Sequence, residues 1–424
     1  MKFSVNKTDI RNVLARLQGL TGRRTNFAIT ETVLLDAADG TLRMTATDLE
    51  TGFEGSYPAV VEEPGVIAVS GRKLHEIVKD FPSELIRVEE VENRWIEIGD
   101  QRVEFHLVGL DPEEFPDMPV VADARFASLP ADALRRMIER TVIIAPPPED
   151  NRAHVTGVYL ELLNVPDEAA DEPDAGEAPA AETEDEAAFT DPEYPEPAAD
   201  FQEADEADSS GEAPTKEGSG RILRMVATDS SRLATADHPL TAGGDLGLDG
   251  GVIIPKKGLQ EVAKFLEGDA AAQVAVQSSH FIVKKAAETM TVRLLEGDFP
   301  RYAEIMNQTD GVDIRMNRQL FLMTLRRMSI LSTEKYKGVI FDFSQDRLLV
   351  SATNPDMGES KEEVAVAYEG EPMEMAFNPK FFIDALGVIE DDHVIVHITN
   401  ASRPCRIRGE FDTRFVSVIM PMKL

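Results

Sequence analysis

The sequence predicts an α+β fold of three similar units, each with two helices packed on antiparallel sheet. Three observations carry that expectation. First, an alternating segment that stops at Thr-Asp or Thr-Asn occurs three times: Leu42-Arg-Met44-Thr-Ala46-Thr47-Asp48, Leu223-Arg-Met225-Val-Ala227-Thr228-Asp229 and Leu348-Leu-Val350-Ser-Ala352-Thr353-Asn354. Period-two alternation marks a strand, and Asp or Asn marks the turn after it, because their side chains bond to backbone just beyond them. Second, the order of helix-like and strand-like segments is the same around each copy. Third, the spacing is regular once one stretch is set aside. Thr47 and Thr228 are 181 positions apart, of which 53 belong to residues 166–218; the 128 that remain match the 125 from Thr228 to Thr353. A period of domain size means a repeated structural unit.

The elements follow in order within each unit. A helix opens it, over residues 8–20, 131–144 and 317–331. In the first, Ile10, Val13, Leu14, Leu17 and Leu20 form one apolar stripe at helical spacing. Thr8 or Asp9, Pro130 and Asn317 supply the starts. A strand follows at 32–36, 157–163 and 339–343, then a turn such as Ala38-Asp39-Gly40, then the recurring segment, so the two strands form a hairpin. In the second unit residues 166–218 fill that hairpin turn. Another strand and a second helix come next, at 65–69 and 72–81, 251–254 and 257–266, and 373–377 and 379–389. Two or three short strands close each unit, giving about eight strands per unit. The domains are expected at 1–122, 125–306 and 308–424.

The 424 residues carry a formal charge of −34 and a hydrophobic fraction of 42%, ordinary for a globular core. Residues 166–218 hold 20 acidic residues against one lysine, so −19 sits there and −15 on the rest. That stretch is Ala, Pro, Glu and Asp with Phe189, Tyr194 and Phe201 as its only aromatics. It cannot offset its ordering entropy by burial and is expected to be disordered, as a solvated insertion or as a decoy for a basic surface. Cys405 is the only cysteine, which excludes an intrachain disulfide and fits a reducing compartment. The N-terminal residues show no apolar leader, and no run approaches the ~20 apolar residues of a membrane span. A cytoplasmic protein is expected.

Cations cluster on the helices: Arg11 and Arg16, Arg135, Arg136 and Arg140, Arg326 and Arg327 on the first helices; Arg72, Lys73 and Lys79, Lys256, Lys257 and Lys264, and Lys380 on the second. Such faces either solvate helices or attract phosphate without reading bases. Motifs for chemistry are missing. There is no Gly-rich phosphate loop ending in Gly-Lys-Ser/Thr and no Gly-x-Ser-x-Gly elbow. One Cys and seven scattered His exclude a zinc site of ordinary spacing; His393 and His397 have no third ligand beside them in sequence, so no metal or cofactor is expected. Asp48 and Asp229 occupy equivalent places in different repeats, so they read as turn-formers rather than a hydrolytic pair. On residues alone a carboxylate-dependent hydrolase and a protein-interaction scaffold that never touches DNA stay open beside a DNA-binding scaffold.

Specific stretches then point to a family. Met1-Lys-Phe-Ser-Val, Asp39-Gly-Thr-Leu with Thr47-Asp-Leu-Glu50, Ala227-Thr-Asp229 with Arg232-Leu233, Ile254-Pro-Lys-Lys-Gly258, Gly297-Asp-Phe-Pro-Arg-Tyr302, Glu334-Lys-Tyr-Lys-Gly-Val339 and Val418-Ile-Met-Pro-Met-Lys-Leu424 resemble the beta sliding clamps of bacterial replicative DNA polymerase. The resemblance covers the chain outside 166–218. It implies the DNA clamp fold: two copies joined head-to-tail in a six-domain ring, helices lining the hole and sheets outside. It implies a non-catalytic processivity subunit that encircles duplex DNA without sequence preference and needs no cofactor.

It further implies partners that bind through short peptides: the replicative polymerase catalytic subunit, the clamp loader, other polymerases and repair proteins, and no membrane. Carried over by position, the peptide groove is walled by Val155, Thr228, Arg232, Leu233, Pro300, Ile305, Tyr336, Asn378, Phe381, Val418, Ile419, Met420, Pro421 and Met422. Met-rich walls suit varied ligands. DNA would meet Arg11, Arg24, Arg72, Lys73, Arg136, Arg140, Arg152, Lys256, Lys257, Arg326 and Arg327; the seam between copies would hold Phe105 on one side and Ile330 and Leu331 on the other. Two departures stand out. Ser230 and Ser231 precede Arg232 where the family usually has Gly or Ser and then His or an aromatic, and Arg152-Ala-His154 replaces a loop rich in tyrosine.

Overall fold

The computed structural model describes residues 1–22, 27–100, 102–119, 121, 124–147, 155–164, 220–240, 246–248, 250–268, 270–306, 310–333 and 337–423. Unit one runs β1 (Lys2–Asn6), α1 (Lys7–Thr21), β2 (Thr32–Ala38), β3 (Thr41–Thr47), β4 (Thr51–Glu63), β5 (Gly65–Ser70), α2 (Gly71–Asp80), β6 (Leu85–Glu90), β7 (Trp95–Gly99) and β8 (Glu104–Leu110). Unit two repeats it as β9 (Ala127–Pro130), α3 (Ala131–Val142), β10 (Gly157–Asn164), β11 (Arg221–Thr228), β12 (Arg232–Leu240), β13 (Val252–Pro255), α4 (Lys256–Phe265), β14 (Ala271–Gln277), β15 (His280–Lys285) and β16 (Glu288–Arg293). A short helix, α5 (Ala303–Met306), precedes unit three: β17 (Val312–Asn317), α6 (Arg318–Met328), β18 (Val339–Ser344), β19 (Arg347–Asn354), β20 (Gly358–Ala365), β21 (Met373–Phe377), α7 (Pro379–Val388), β22 (His393–Ile398), β23 (Cys405–Gly409) and β24 (Phe415–Ile419). Two helices and eight strands recur three times, as the spacing predicts.

The helix starts are set one residue earlier than the sequence reading has them in unit one. Asn6, the last residue of β1, caps α1 by accepting from the Thr8 amide, so neither Thr8 nor Asp9 is the cap. Asn317 does the same for α6 from the equivalent place. The predicted stripe of α1 is buried in full. Residues 329–331, expected to extend α6, form a separate 3-10 turn. Gly258, inside α4, answers a close approach: a Cβ there would lie 2.2 Å from Val292 Cγ1 on β16.

Each unit contributes two four-stranded sheets, and the sheets join between units. The strand after the recurring segment pairs with the last strand of the following unit: β4 with β16, and β12 with β24. The helices follow suit. They pack as pairs α1 with α2, α3 with α4 and α6 with α7, and α1 also meets α4 while α3 meets α7. The six therefore form one file, α2-α1-α4-α3-α7-α6, along one side of the joined sheets. Between file and sheets lies a continuous apolar core, which in unit three includes Phe321, Phe341, Phe343, Phe377 and Phe382.

The acidic stretch 166–218 lies outside the described residues, but its roots do not. Asn164 pairs with Arg221 at the open end of the β10–β11 hairpin, with the ladder continuing to Tyr159 and Val226. The insertion therefore replaces a hairpin turn, at the end of β11 away from Thr228. Among the described residues no helix is long and apolar enough to cross a membrane.

Candidate functional site

The junction of units two and three holds a concavity, and the recurring turn builds it. Thr228 Oγ1 donates to the Arg232 carbonyl (2.8 Å) and accepts from the Ser230 amide (3.2 Å), while Asp229 Oδ1 accepts from the Ser231 and Arg232 amides (2.9 and 3.0 Å). Ser230 takes a left-handed φ of 76°, as Leu49 does in unit one. The turn delivers Leu233 to β12, where it pairs with Val418 of β24. Leu233, Val418, Val226 and Tyr302 form a small apolar cluster separate from the main core, with Tyr159, Phe299, Ile305 and Met306 packed on it. Above it opens a cavity of about 220 Å³ lined by Thr228, Ser230, Leu233, Pro300, Ile305 and Met420, with Arg232 and Val418.

Several expected wall residues meet here, and others do not. Thr228, Arg232, Leu233, Pro300, Ile305, Val418 and Met420 line the cavity. Ile419 does not: alternation along β24 turns it away from Val418 into the main core, where it is fully buried. Val155 is also buried, at 2% exposure. Asn378 spends its side chain capping α7, and Phe381 lies 4.5 Å beneath the Arg232 guanidinium. The Met422 amide donates to the Ala376 carbonyl (2.7 Å), so Pro421 and Met422 run along the edge of β21. Tyr336 lies outside the described residues.

Arg232 pins the floor rather than reaching out. Its guanidinium donates to Asp229 (2.9 Å), Asp384 (2.7 Å) and the Ile143 carbonyl (3.2 Å). The sequence reading named Ser230 beside the groove but not Val226, Tyr302, Phe299 and Met306, which form the apolar cluster under it. The motif Gly297–Tyr302 was the available signal, since it places two aromatics beside the groove. Tyr302 is bound to Glu161, and burial followed by that carboxylate pushes its hydroxyl pKa up.

The expected cations divide into two groups. Arg11, Arg72, Lys73, Arg326 and Arg327 are exposed on the helix file and Arg136 is half-buried there, Arg72 and Lys73 sharing Glu76 and Arg136 pairing with Asp132. Arg140, Lys256 and Lys257 are drawn inward, which corrects the expectation that they face a ligand. Arg140 is 8% exposed, pairs with Asp412 of unit three at 2.8 Å and lies over the Phe415 ring. Lys256 donates to the Ala145 carbonyl (2.5 Å), and burial, then Arg232 and Lys380 nearby, holds its pKa down. Lys257 pairs with Asp48 of unit one. Arg24 and Arg152 lie outside the described residues.

One position explains part of this division. Arg16, Arg140 and Arg327 are each the tenth residue of their unit's first helix. Arg16 reaches into unit two, to Glu288 at 2.5 Å and over Phe265, as Arg140 reaches into unit three. Arg327, in unit three, instead holds Glu362 of its own β20 (2.8 Å).

Asp48 accepts from the Glu50 and Thr51 amides, so Asp48 and Asp229 are turn-formers in separate junctions. His393 faces Glu410 and His397 faces Asp313. Among the described residues, Glu97, Glu104 and His106 are the one group of three metal-type ligands; they sit on β7 and β8, and His106 is already 2.5 Å from Glu104. Phe105, Ile330 and Leu331 leave the core at opposite ends of the chain, Ile330 at 70% exposure.

Comparison with known proteins matches this geometry. Three family descriptions cover most of the chain: DNA polymerase III beta subunit, N-terminal domain over residues 1–119, central domain over 215–301 and C-terminal domain over 306–423. The beta sliding clamp of Pseudomonas putida is 27% identical over 431 residues, and that of Escherichia coli strain K12 is 26% identical over 426; each comparison spans 100% of both chains. The crystal structure of DNA polymerase III subunit beta from Pseudomonas aeruginosa superposes with a TM-score of 0.81 at 26% identity, over 100% of both chains. The Bacillus subtilis sliding clamp has the same fold, with a TM-score of 0.81 at 24% identity.

Proposed function

The chain belongs to the bacterial DNA polymerase III beta subunit family, the sliding clamps, and we propose that two copies close head-to-tail around duplex DNA. It is a non-catalytic processivity factor with the three-domain clamp fold. We take the domains as 1–122, 125–306 and 308–424, and the setting as the cytoplasm. The replicative polymerase, the clamp loader and other polymerases and repair proteins would dock short peptides in the groove over Leu233 and Val418.

The observation that carries the ring is the repetition of one seam. Within the chain, β4 pairs with β16 and β12 with β24, and two strands of those types keep an edge free: β20 at one end and, at the other, β8 before Gly109, since Gly109 and Leu110 pair with β5. Both internal seams put equivalent residues opposite each other, Thr51 with Val292 and Arg232 with Ile419. Carrying that register to the free strands places Leu107 opposite Gly358, His106 opposite Glu359, Phe105 opposite Ser360 and Glu104 opposite Lys361 of a second copy. The outward pairs are then of opposite or compatible charge, and Phe105 lies inward. A seam repeated three times per half-ring closes after six units.

The open side of the helix file carries the exposed Arg11, Arg72, Lys73, Arg326 and Arg327 and the half-buried Arg136. Four of these six already pair with a carboxylate of their own unit, so phosphate contacts are weak and exchangeable. Retention is topological, and loose contacts permit sliding. Glu362 keeps Arg327 within its own unit, so the seam between copies lacks the arginine staple of the internal junctions and is where the ring opens.

Cross-linking tests the register. A chain carrying His106→Cys and Glu359→Cys, oxidised mildly, gives a covalently closed dimer; His106→Cys with Lys361→Cys cross-links far less. Cys405 does not interfere, since it is buried and burial pushes its thiol pKa up. Equal cross-linking of both variants, or none, contradicts the proposed seam.

A further inference from the structure

We propose that the groove continues into a cationic subsite on the outer face of unit three, formed by Arg406 and Arg408, which takes an acidic side chain of the bound peptide. The inference rests on the peptide-groove reading above and adds a charge preference to it.

Strand pairing links the two places. Leu233 lies opposite Val418, Val418 opposite Arg406, Arg406 opposite His397 and His397 opposite Asp313. Residues paired directly share a face of the sheet, so these five form one row from the groove floor to the far edge strand. Two residues along, Val416 and Arg408 are paired on the same face. A second cavity, about 490 Å³, lies on this row between Met306, Asp313, Ile395, His397, Arg406 and Arg408. Ile305 closes the first cavity and its neighbour Met306 lines the second, so the two lie side by side.

The charges are set to receive an anion. Arg406 donates to the Met306 carbonyl (3.0 Å) and Arg408 to the Gly409 carbonyl (3.2 Å). Among the described residues the nearest carboxylate on either guanidinium is Asp313, 3.5 Å from Arg408, and that carboxylate is already 2.7 Å from His397 Nδ1. Arg315 on the neighbouring edge differs: Glu410 satisfies it bidentately at 2.7 and 3.0 Å. Two guanidiniums held by carbonyls, with donors to spare, suit a carboxylate fork. Strands lie about 4.8 Å apart and an extended peptide rises about 3.3 Å per residue. An acid two or three positions from an apolar anchor over Leu233 and Val418 therefore reaches Arg406.

Random nonapeptides displayed on phage and selected on the full-length dimer test this. The wild-type protein is expected to enrich an apolar anchor with Asp or Glu two or three positions away. The chain with Arg406→Gln and Arg408→Gln keeps the anchor and loses the acid, while Asp313→Asn, which removes a competing carboxylate, strengthens the acidic preference. A synthetic winning peptide binds the wild type about tenfold more tightly than its Asp→Asn form, and that ratio falls to near one in the double variant; thermal melting shows that the variants fold. An apolar anchor without acidic preference, or a preference unchanged in the double variant, overturns the subsite and leaves the groove standing. No apolar enrichment at all overturns both.

Discussion

At the residue scale the groove depends on which face of a strand a side chain takes. Val418 and Ile419 are adjacent and equally apolar, yet one floors the cavity and the other fills the core. Val418→Asp is expected to abolish binding of a fluorescent peptide that the wild-type groove takes, read by anisotropy, while sedimentation is unchanged. Ile419→Ala instead lowers stability by about 2–5 kcal/mol, as a buried large-to-small change. The sequence could place both residues on one strand but not say which face met the neighbouring unit. Arg140 was equally illegible: its sequence neighbours describe a solvated cationic helix face, and only the approach of Asp412, 272 positions away, buries it. That pair also sets a pH dependence. Burial raises the Asp412 carboxyl, but hydrogen bonds from Arg140 and Arg414 outweigh it and hold it below the usual carboxylate range. A depressed folded-state pKa contributes stability above the unfolded value of about 3.9 and loses it as pH falls through the folded value. Asp412→Asn should therefore destabilise at pH 7, with the difference from wild type fading below about pH 4 in chemical denaturation.

At the element scale the recurring strand and turn were legible because local chemistry dictates them. Alternation and the Thr-Asp turn need no tertiary partner, and helix spans read from periodicity lie within a residue or two of those observed, apart from the end of α6. The third turn diverges in a way that sequence similarity hides. Thr353 pairs with Glu359, one residue later than Thr47 with Gly52 or Thr228 with Leu233, and Asn354 ties the loop to the Leu331 carbonyl. That shift sets the register of β20 and hence the charges it offers a second copy. Lys361→Glu should weaken the dimer about tenfold in sedimentation, and Glu104→Lys in the same chain should restore much of it; no restoration would place these residues apart. The β10–β11 hairpin gives a further expectation. Replacing residues 166–218 by a two-residue Asn-Gly turn should leave fold and dimer intact, because the ladder from Tyr159 to Asn164 does not involve them. Loss of the dimer in that variant would give the insertion a structural role.

At the scale of the whole molecule, charge was the least reliable guide. A net charge of −34 argues against a nucleic-acid partner until −19 of it is located in one insertion. The fold class and unit count came from periodicity, whereas the inter-unit seams could not, since strand pairing between units leaves no local sequence signature. Yet the seams carry the central claim: one pairing, used twice within the chain, is used again between copies to close a ring whose grip on DNA is topological. The direct test is retention on nicked circular duplex after loading with the cognate loader and ATP, followed by gel filtration at high salt. The account predicts that the protein stays with the circle and is released when a single cut linearises it. Equal retention on circular and linear DNA, or no retention on either, would contradict it.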